Sequence, residues 1–226
     1  MSSKPESIPL PAVRRLSLYL RQLEALARRG DGTVSSKELG LALGLSDAQV
    51  RKDLAYFGQF GHAGIGYRVD EVIRHVRHIL GTDKTWPAAL VGLGRLGQAL
   101  AAYGGFVEKG FQLVAVFDAD DKKADRPVSG LSGVRIQPMG ALAETIADRQ
   151  ILLAIITVPA AHAQSVADLL VDAGVRGILN FAPIALIVPK TVALSSVDLA
   201  VQLEQLSFQV NSMRDAALRS SGEADT

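Results

Sequence analysis

At 226 residues, with 48% hydrophobic side chains and a formal net charge of +1, the chain holds enough apolar content for one large domain or two small ones. It contains no cysteine, which excludes disulfides, a thiol nucleophile and thiolate metal sites. The longest apolar run, near residues 151–158, is far too short to cross a bilayer and no signal peptide is read, so the expectation is a soluble cytoplasmic protein with no membrane partner.

The charge is unevenly shared. Residues 1–80 carry 12 Lys+Arg against 8 Asp+Glu, and the remainder carries 12 against 15. A basic module joined to an acidic one points to a polyanion as partner of the first. After a frayed start over residues 1–10, the spacing of Leu16, Leu20, Leu23 and Ala27 predicts a helix from Pro11 to Arg29, ended by Gly30-Asp31-Gly32. Two short helices follow, each announced by a capping box: Ser35 with Glu38, then Ser46 with Gln49. Only Gly44-Leu45-Ser46 separates them, the signature of a helix-turn-helix.

On a helical wheel the second of these, from Asp47 to about Phe57, buries Val50, Leu54 and Phe57. Ala48, Arg51, Lys52, Ala55 and Gln59 face away, with Gln49 and Tyr56 on the flank. Small alanines between cations permit close approach to a groove floor, where Arg51 and Lys52 reach phosphates or guanine edges. An isolated helix of this kind would read as an ordinary solvated face; the tandem caps and the short turn favour recognition of double-stranded DNA. Residues 58–69 interleave four glycines with Phe60, Ile65, Tyr67 and Val69, predicting a hairpin wing with His62 at its tip. Residues 70–80 read as another helix, whose His75 and His78 lack a third ligand, so a solvated basic face is expected and no metal site. Gly81 to Thr85 is the expected linker.

From Trp86 onward, strand and helix patterns alternate, which predicts an α/β domain with a doubly wound parallel sheet. Strands are expected at 88–91, 112–117, 135–136, 151–157, 177–180 and 192–197, with helices at 96–103, 140–146 and 161–173. The first strand runs into Gly92-Leu93-Gly94-Arg95-Leu96-Gly97, and the second ends at Asp118. In that pattern Gly92 makes the tight turn, Gly94 admits a pyrophosphate and Gly97 lets the helix pack close, while Asp118 accepts hydrogen bonds from a ribose diol. Thr157-Val158-Pro159 and Asn180-Phe181-Ala182-Pro183 follow other strands and face the same crevice. Asn180 is the candidate for a carboxamide, with Val158, Phe181 and Pro183 an apolar wall for a nicotinamide ring.

Asp118 favours NAD(H) over its 2′-phosphorylated form, although Lys122, Lys123 and Arg126 nearby weaken that preference. A nucleotide-free glycine turn and a site for coenzyme A are the competing readings. A closing helix from Asp198 to about Met213 carries Leu199, Leu203, Leu206 and Val210 on one stripe and Val201 and Phe208 off it, which calls for a second copy of the chain. Residues 214–226 are expected to be disordered. A dehydrogenase would need a positioned acid or base; the nucleotide domain has His162 alone among histidines and no separate substrate domain, so sensing is favoured over a small NAD-dependent oxidoreductase.

Taken together, Gln49-Val50-Arg51-Lys52-Asp53-Leu54, the glycine wing, the glycine turn at 92–97 and Gly177-Ile178-Leu179-Asn180-Phe181-Ala182-Pro183 resemble the Rex family of bacterial redox-sensing repressors, over about residues 10–213. The resemblance implies a homodimer with a winged helix-turn-helix domain (1–81), a Rossmann NAD(H)-binding domain (86–197) and a last helix (198–213) exchanged between subunits. It implies binding to palindromic operator DNA when NADH is scarce. It also implies a switch in which Arg21 pairs with Asp198 and Tyr103 takes over that aspartate when NADH is bound. Two departures stand out: Leu199 occupies a position that is phenylalanine in some relatives, and His62-Ala63 stands where many have a basic wing residue.

Overall fold

The computed structural model describes residues 9–58 and 66–222, so Gln59 and His62, two of the expected DNA contacts, lie outside the described residues. The chain divides into two compact units, Met1–Thr85 and Trp86–Thr226.

In the first unit, helix α1 (Leu10–Arg29) buries Leu16, Tyr19, Leu20 and Leu23, which recur every three or four positions along one face. Gly30 stops it in the left-handed conformation, φ +86°. Strand β1 (Thr33–Val34) leads to α2 (Ser36–Leu43), where the Ser35–Glu38 capping box forms in full. Gly44, left-handed at φ +67°, turns the chain into α3 (Asp47–Ala55). The tightness of this turn depends on a glycine the motif reading passed over: a Cβ on Gly40 would lie 2.6 Å from the Leu45 carbonyl oxygen.

Three expectations change here. Ser46 accepts from the Gln49 N–H at 3.1 Å, but the Gln49 side chain turns to Asp53 instead of closing a second box. Helix α3 ends at Ala55, because Tyr56 and Phe57 bond three residues back and tighten the last turn. Its buried face is Val50, Asp53 and Leu54, with Phe57 half-buried. Strand β2 (Tyr67–Arg68), the described end of the expected wing, pairs antiparallel with β1. Helix α4 (Val69–Leu80) then packs Val69, Val72, Ile73 and Val76 into the same core.

In the second unit, β3 (Trp86–Val91), α5 (Arg95–Ala101), α6 (Gly105–Glu108), β4 (Phe111–Asp118), β5 (Ile136–Pro138), α7 (Leu142–Asp148), β6 (Leu153–Ile156), α8 (Ala160–Asp172), β7 (Gly177–Asn180) and β8 (Ala193–Ser196) build a six-stranded parallel sheet ordered β5-β4-β3-β6-β7-β8. The order reverses between β3 and β6, the switch point where such sheets bind ligands. Strand β3 alternates strictly: Ala89 and Val91 join the cluster under α7 and α8, while Ala88 and Leu90 join Ala101, Leu113 and Val116 on the other face. Both faces are covered, which makes the sheet a doubly wound, three-layer structure.

The last helix, α9 (Leu199–Gly222), does not end near Met213 as expected. Arg214, Ala216, Ala217, Leu218 and Arg219 are good helix formers and no glycine or proline precedes Gly222, so the helix continues past Met213. No helix among the described residues is long and apolar enough to cross a membrane.

Candidate functional site

At the carboxyl ends of β3, β4 and β6 lies a cleft of about 690 Å³. Its lining includes Gly92, Gly94, Leu96, Asp118, Thr157, Val158, Pro159 and Phe181, drawn from four separate stretches of the chain. The three glycines differ in what requires them. Gly92 sits at φ +94°, and a Cβ there would press within 2.8 Å of Val158 Cγ1. Gly97 is pressed against the turn itself, since a Cβ would fall 2.1 Å from the Gly92 carbonyl oxygen. Around Gly94 there is nothing within 4 Å, so its missing side chain leaves open space on the cleft side. Two glycines thus shape the turn and the third leaves room for a ligand.

Thr157 braces this arrangement: its hydroxyl donates to the Gly92 carbonyl at 2.6 Å. Asp118 is nearly buried and holds the turn from the other side. It accepts from the Leu93 N–H (2.7 Å), the Asp120 N–H (2.9 Å) and Lys123 Nζ (2.9 Å), while Lys123 also donates to the Leu93 carbonyl. Burial alone would push the Asp118 carboxyl up; the bonds from Lys123, Asp120 and Leu93 outweigh it and hold it below its ordinary range. A carboxylate has about four acceptor positions, so one remains for a ligand hydroxyl.

Several expected contacts are placed differently. Leu93 turns its side chain into the core and spends its N–H on Asp118. Arg95 is exposed at the first position of α5, outside the cleft lining, and Pro183 is exposed and also outside it. Asn180 is fully buried: its amide donates to the carbonyls of Ala182 (3.1 Å) and Ile184 (3.0 Å) and accepts from the Ala182 N–H (2.9 Å). It builds the turn that presents Phe181 and, being fully buried and outside the cleft lining, is out of reach of a carboxamide, a side-chain-to-backbone use common for asparagine after a strand. Tyr103 lies outside the cleft; its ring meets Phe106 edge-on at 5.2 Å and covers Gly105. His162, Ser165, Met139 and Leu169 do line the cleft, and the motif reading did not assign them. Their only signal was position on α8 or just after β5.

On the first unit, Arg51 is exposed but held: it donates to Asp47 at 2.7 Å and to the Ser36 hydroxyl at 3.1 Å. Lys52 and Tyr56 are exposed, and Gln49 is half-buried. Asp53, unassigned by the motif reading, has no exposed surface and binds Arg15, Tyr19 and Gln49. Its presence on the side of Val50 and Leu54 was the available sign. Arg21 is exposed on α1. Asp198 starts α9, accepting from Ala200 N (2.9 Å) and Val201 N (3.3 Å) through one carboxylate oxygen.

Comparison with known proteins separates the readings that geometry leaves open. Residues 7–55 match the family model "Putative DNA-binding protein N-terminus", and residues 83–184 match the model "CoA binding domain". The redox-sensing transcriptional repressor Rex of Carboxydothermus hydrogenoformans is 49% identical over 203 residues, covering 90% of this chain and 96% of its own. This chain belongs to the Rex family. Rex of Syntrophomonas wolfei is 47% identical over 89% of this chain and 94% of its own. Among solved structures, RSP, a Rex-family repressor, is 34% identical. In complex with NAD+ and operator DNA it superposes with a TM-score of 0.87 over 96% of this chain and 98% of its own. Its NADH complex gives 0.83 over 92% and 97%. The whole Rex architecture, a DNA-binding unit followed by a Rossmann unit, is therefore present here.

Proposed function

We propose that this chain is a redox-sensing transcriptional repressor that binds operator DNA when NADH is scarce and lets go when NADH binds. The observation that carries this is the near end-to-end likeness to RSP, a repressor solved with both NAD+ and operator DNA. The residues present here fit the dinucleotide: Gly94 leaves the open cradle, Asp118 keeps an acceptor position, and Val158 and Phe181 supply apolar wall. Coenzyme A, suggested by the name of one family model, finds no such support from the curated relatives, which are repressors of the Rex type. The same relatives argue for a regulator rather than an oxidoreductase, acting in the cytoplasm where its DNA lies.

The dinucleotide supplies a ring that is cationic when oxidised and neutral when reduced. Val158 and Phe181, which Leu199 of a second copy would join, would form a wall that disfavours a buried cation, so closure of these residues would select the reduced form. The exposed apolar row on α9, Leu199, Leu203, Leu206 and Val210, is the surface by which two copies exchange this helix. Arg21 would pair with Asp198 in the DNA-bound form and Tyr103 would take it in the released form; the helix cap occupies one Asp198 oxygen and leaves the other for either partner. Arg51 and Lys52 on α3, with Tyr56 just past its end, meet the operator, Arg51 first leaving Asp47.

Calorimetric titration tests the selectivity. Tighter binding of NADH than NAD+, with no heat from coenzyme A, supports the reading. Equal affinity for the two redox forms would count against it, because a ligand shifts an equilibrium only through its affinity difference between states.

A further inference from the structure

Asp53 is the one charged side chain of the DNA-binding unit that is wholly buried among the described residues. Its carboxylate is saturated. Oδ2 accepts from Arg15 Nε and from the Tyr19 hydroxyl at 2.7 Å; Oδ1 accepts from a second Arg15 nitrogen and from Gln49 Nε2, both at 2.8 Å. Four donors fill the four acceptor positions an ionised carboxylate offers. Arg15 and Tyr19 both belong to α1, so the acid is anchored from outside α3 and does not follow the rotamers of its own helix.

The consequence falls on Gln49. An amide can present either its oxygen or its nitrogen to a neighbour, but an ionised carboxylate accepts only. A flipped amide would set oxygen against oxygen at 2.8 Å, so Asp53 fixes which way round Gln49 lies. One amide hydrogen is spent; Oε1 and the second hydrogen remain. Gln49 is the third residue of α3, in the N-terminal turn that recognition helices place against base edges, and its side chain keeps partial exposure. An acceptor beside a donor is the pattern that matches N6–H and N7 of adenine in the major groove.

We infer that Asp53 is a positioning residue for operator specificity: it orients the Gln49 amide so that α3 reads one A·T pair in each half-site. This rests on the reading that α3 enters the major groove.

The test is selection of full-length protein on DNA carrying randomised half-sites at fixed salt, with wild type, Gln49→Ala, Asp53→Asn, Tyr19→Phe and Lys52→Ala. The expected result is an adenine preference at one half-site position that falls about tenfold or more in Gln49→Ala and collapses likewise in Asp53→Asn, where an asparagine amide tolerates either orientation of its neighbour. The other positions keep their preferences. Tyr19→Phe removes a donor from Asp53 without touching its charge, so it lowers the melting temperature and leaves the adenine preference intact. If Asp53→Asn does not fold, Gln49→Ala and Tyr19→Phe decide, since the same position must respond to the first and not to the second. Loss of affinity in Gln49→Ala that is equal for all sequences would overturn the inference, as would an adenine preference surviving in folded Asp53→Asn. Lys52→Ala tells the two failures apart. A loss on operator and random DNA alike, with no base-specific effect at Gln49, refutes the pairing alone; no loss on either refutes the reading of α3 and the pairing with it.

Discussion

Two buried acids organise the two units in different ways. Asp53 gathers side chains from a helix far away in sequence, Arg15 and Tyr19, and so ties α3 to α1. Asp118 gathers mostly backbone, the N–H groups of Leu93 and Asp120, with Lys123 as its one side-chain partner among the described residues. The first locks two helices together; the second braces a loop around a ligand cleft. A side-chain network resists rotation of a whole element, which suits a surface that must hold a fixed register on DNA. A backbone-braced loop keeps its shape while leaving one acceptor position for a ligand, which suits a site that loads and unloads.

The contrast sets an order of expected effects. Gly97→Ala should be the most damaging change, because its Cβ would collide with the Gly92 carbonyl, a backbone atom that cannot rotate away. A loss of about 3 kcal/mol or more is expected, read as a large fall in melting temperature together with loss of NADH binding. Asp53→Asn comes next. It leaves Arg15 without its counter-ion, and because Arg15 stays about a quarter exposed the cost should be about 2–3 kcal/mol, below that of a wholly buried pair. NADH affinity of the Rossmann unit should be unchanged in that variant.

The pH dependence follows from the same two acids. For Asp53, burial would raise the carboxyl, but the bonds from Arg15, Tyr19 and Gln49 prevail and hold it below its ordinary range. A carboxyl lower in the folded than in the unfolded chain binds fewer protons when folded. Its contribution is therefore present above the ordinary range near pH 4 and is lost as pH falls through that range and then through the folded value. Denaturant titrations between about pH 3 and 7 should show stability falling in acid, with a shallower fall in Asp53→Asn.

Lys123→Met should have a smaller effect. The lysine is about a third exposed, so a cost of about 1 kcal/mol and a several-fold weakening of NAD(H) binding are expected. Ser46→Ala should cost about 1 kcal/mol of melting stability through the lost α3 cap, with little effect on the nucleotide site. If Lys123→Met proved as damaging as Asp53→Asn, the proposed difference between a loop brace and a helix lock would fail.

The two acids also show what could be read before the structure. The place of Asp118 beside the glycine turn was legible because it belongs to a short motif, a strand, three glycines and a second strand, whose spacing encodes it; its bracing of the Leu93 N–H was not. The parallel sheet and the helix-turn-helix were legible for the same reason, through period and punctuation. Asp53 was not, because Tyr19 and Arg15, the partners that anchor it, lie 34 and 38 residues away, and its place beside Val50 and Leu54 says that it is buried without saying by what. Asn180 misled for a related reason: a polar residue ending a strand reads equally as a ligand contact or as a turn builder, and only the positions of the Ala182 and Ile184 carbonyls decide. The length of α9 was misjudged because a polar composition is as compatible with a continuing helix as with a disordered tail.

The central claim is that the redox state of a bound dinucleotide controls the hold on DNA. The most direct measurement is fluorescence anisotropy of a labelled palindromic operator bound to the full chain, at constant total dinucleotide and varied NADH:NAD+ ratio. The account predicts that the complex persists with NAD+ alone and dissociates as the NADH share rises, whereas equal dissociation by both forms, or by neither, would contradict it.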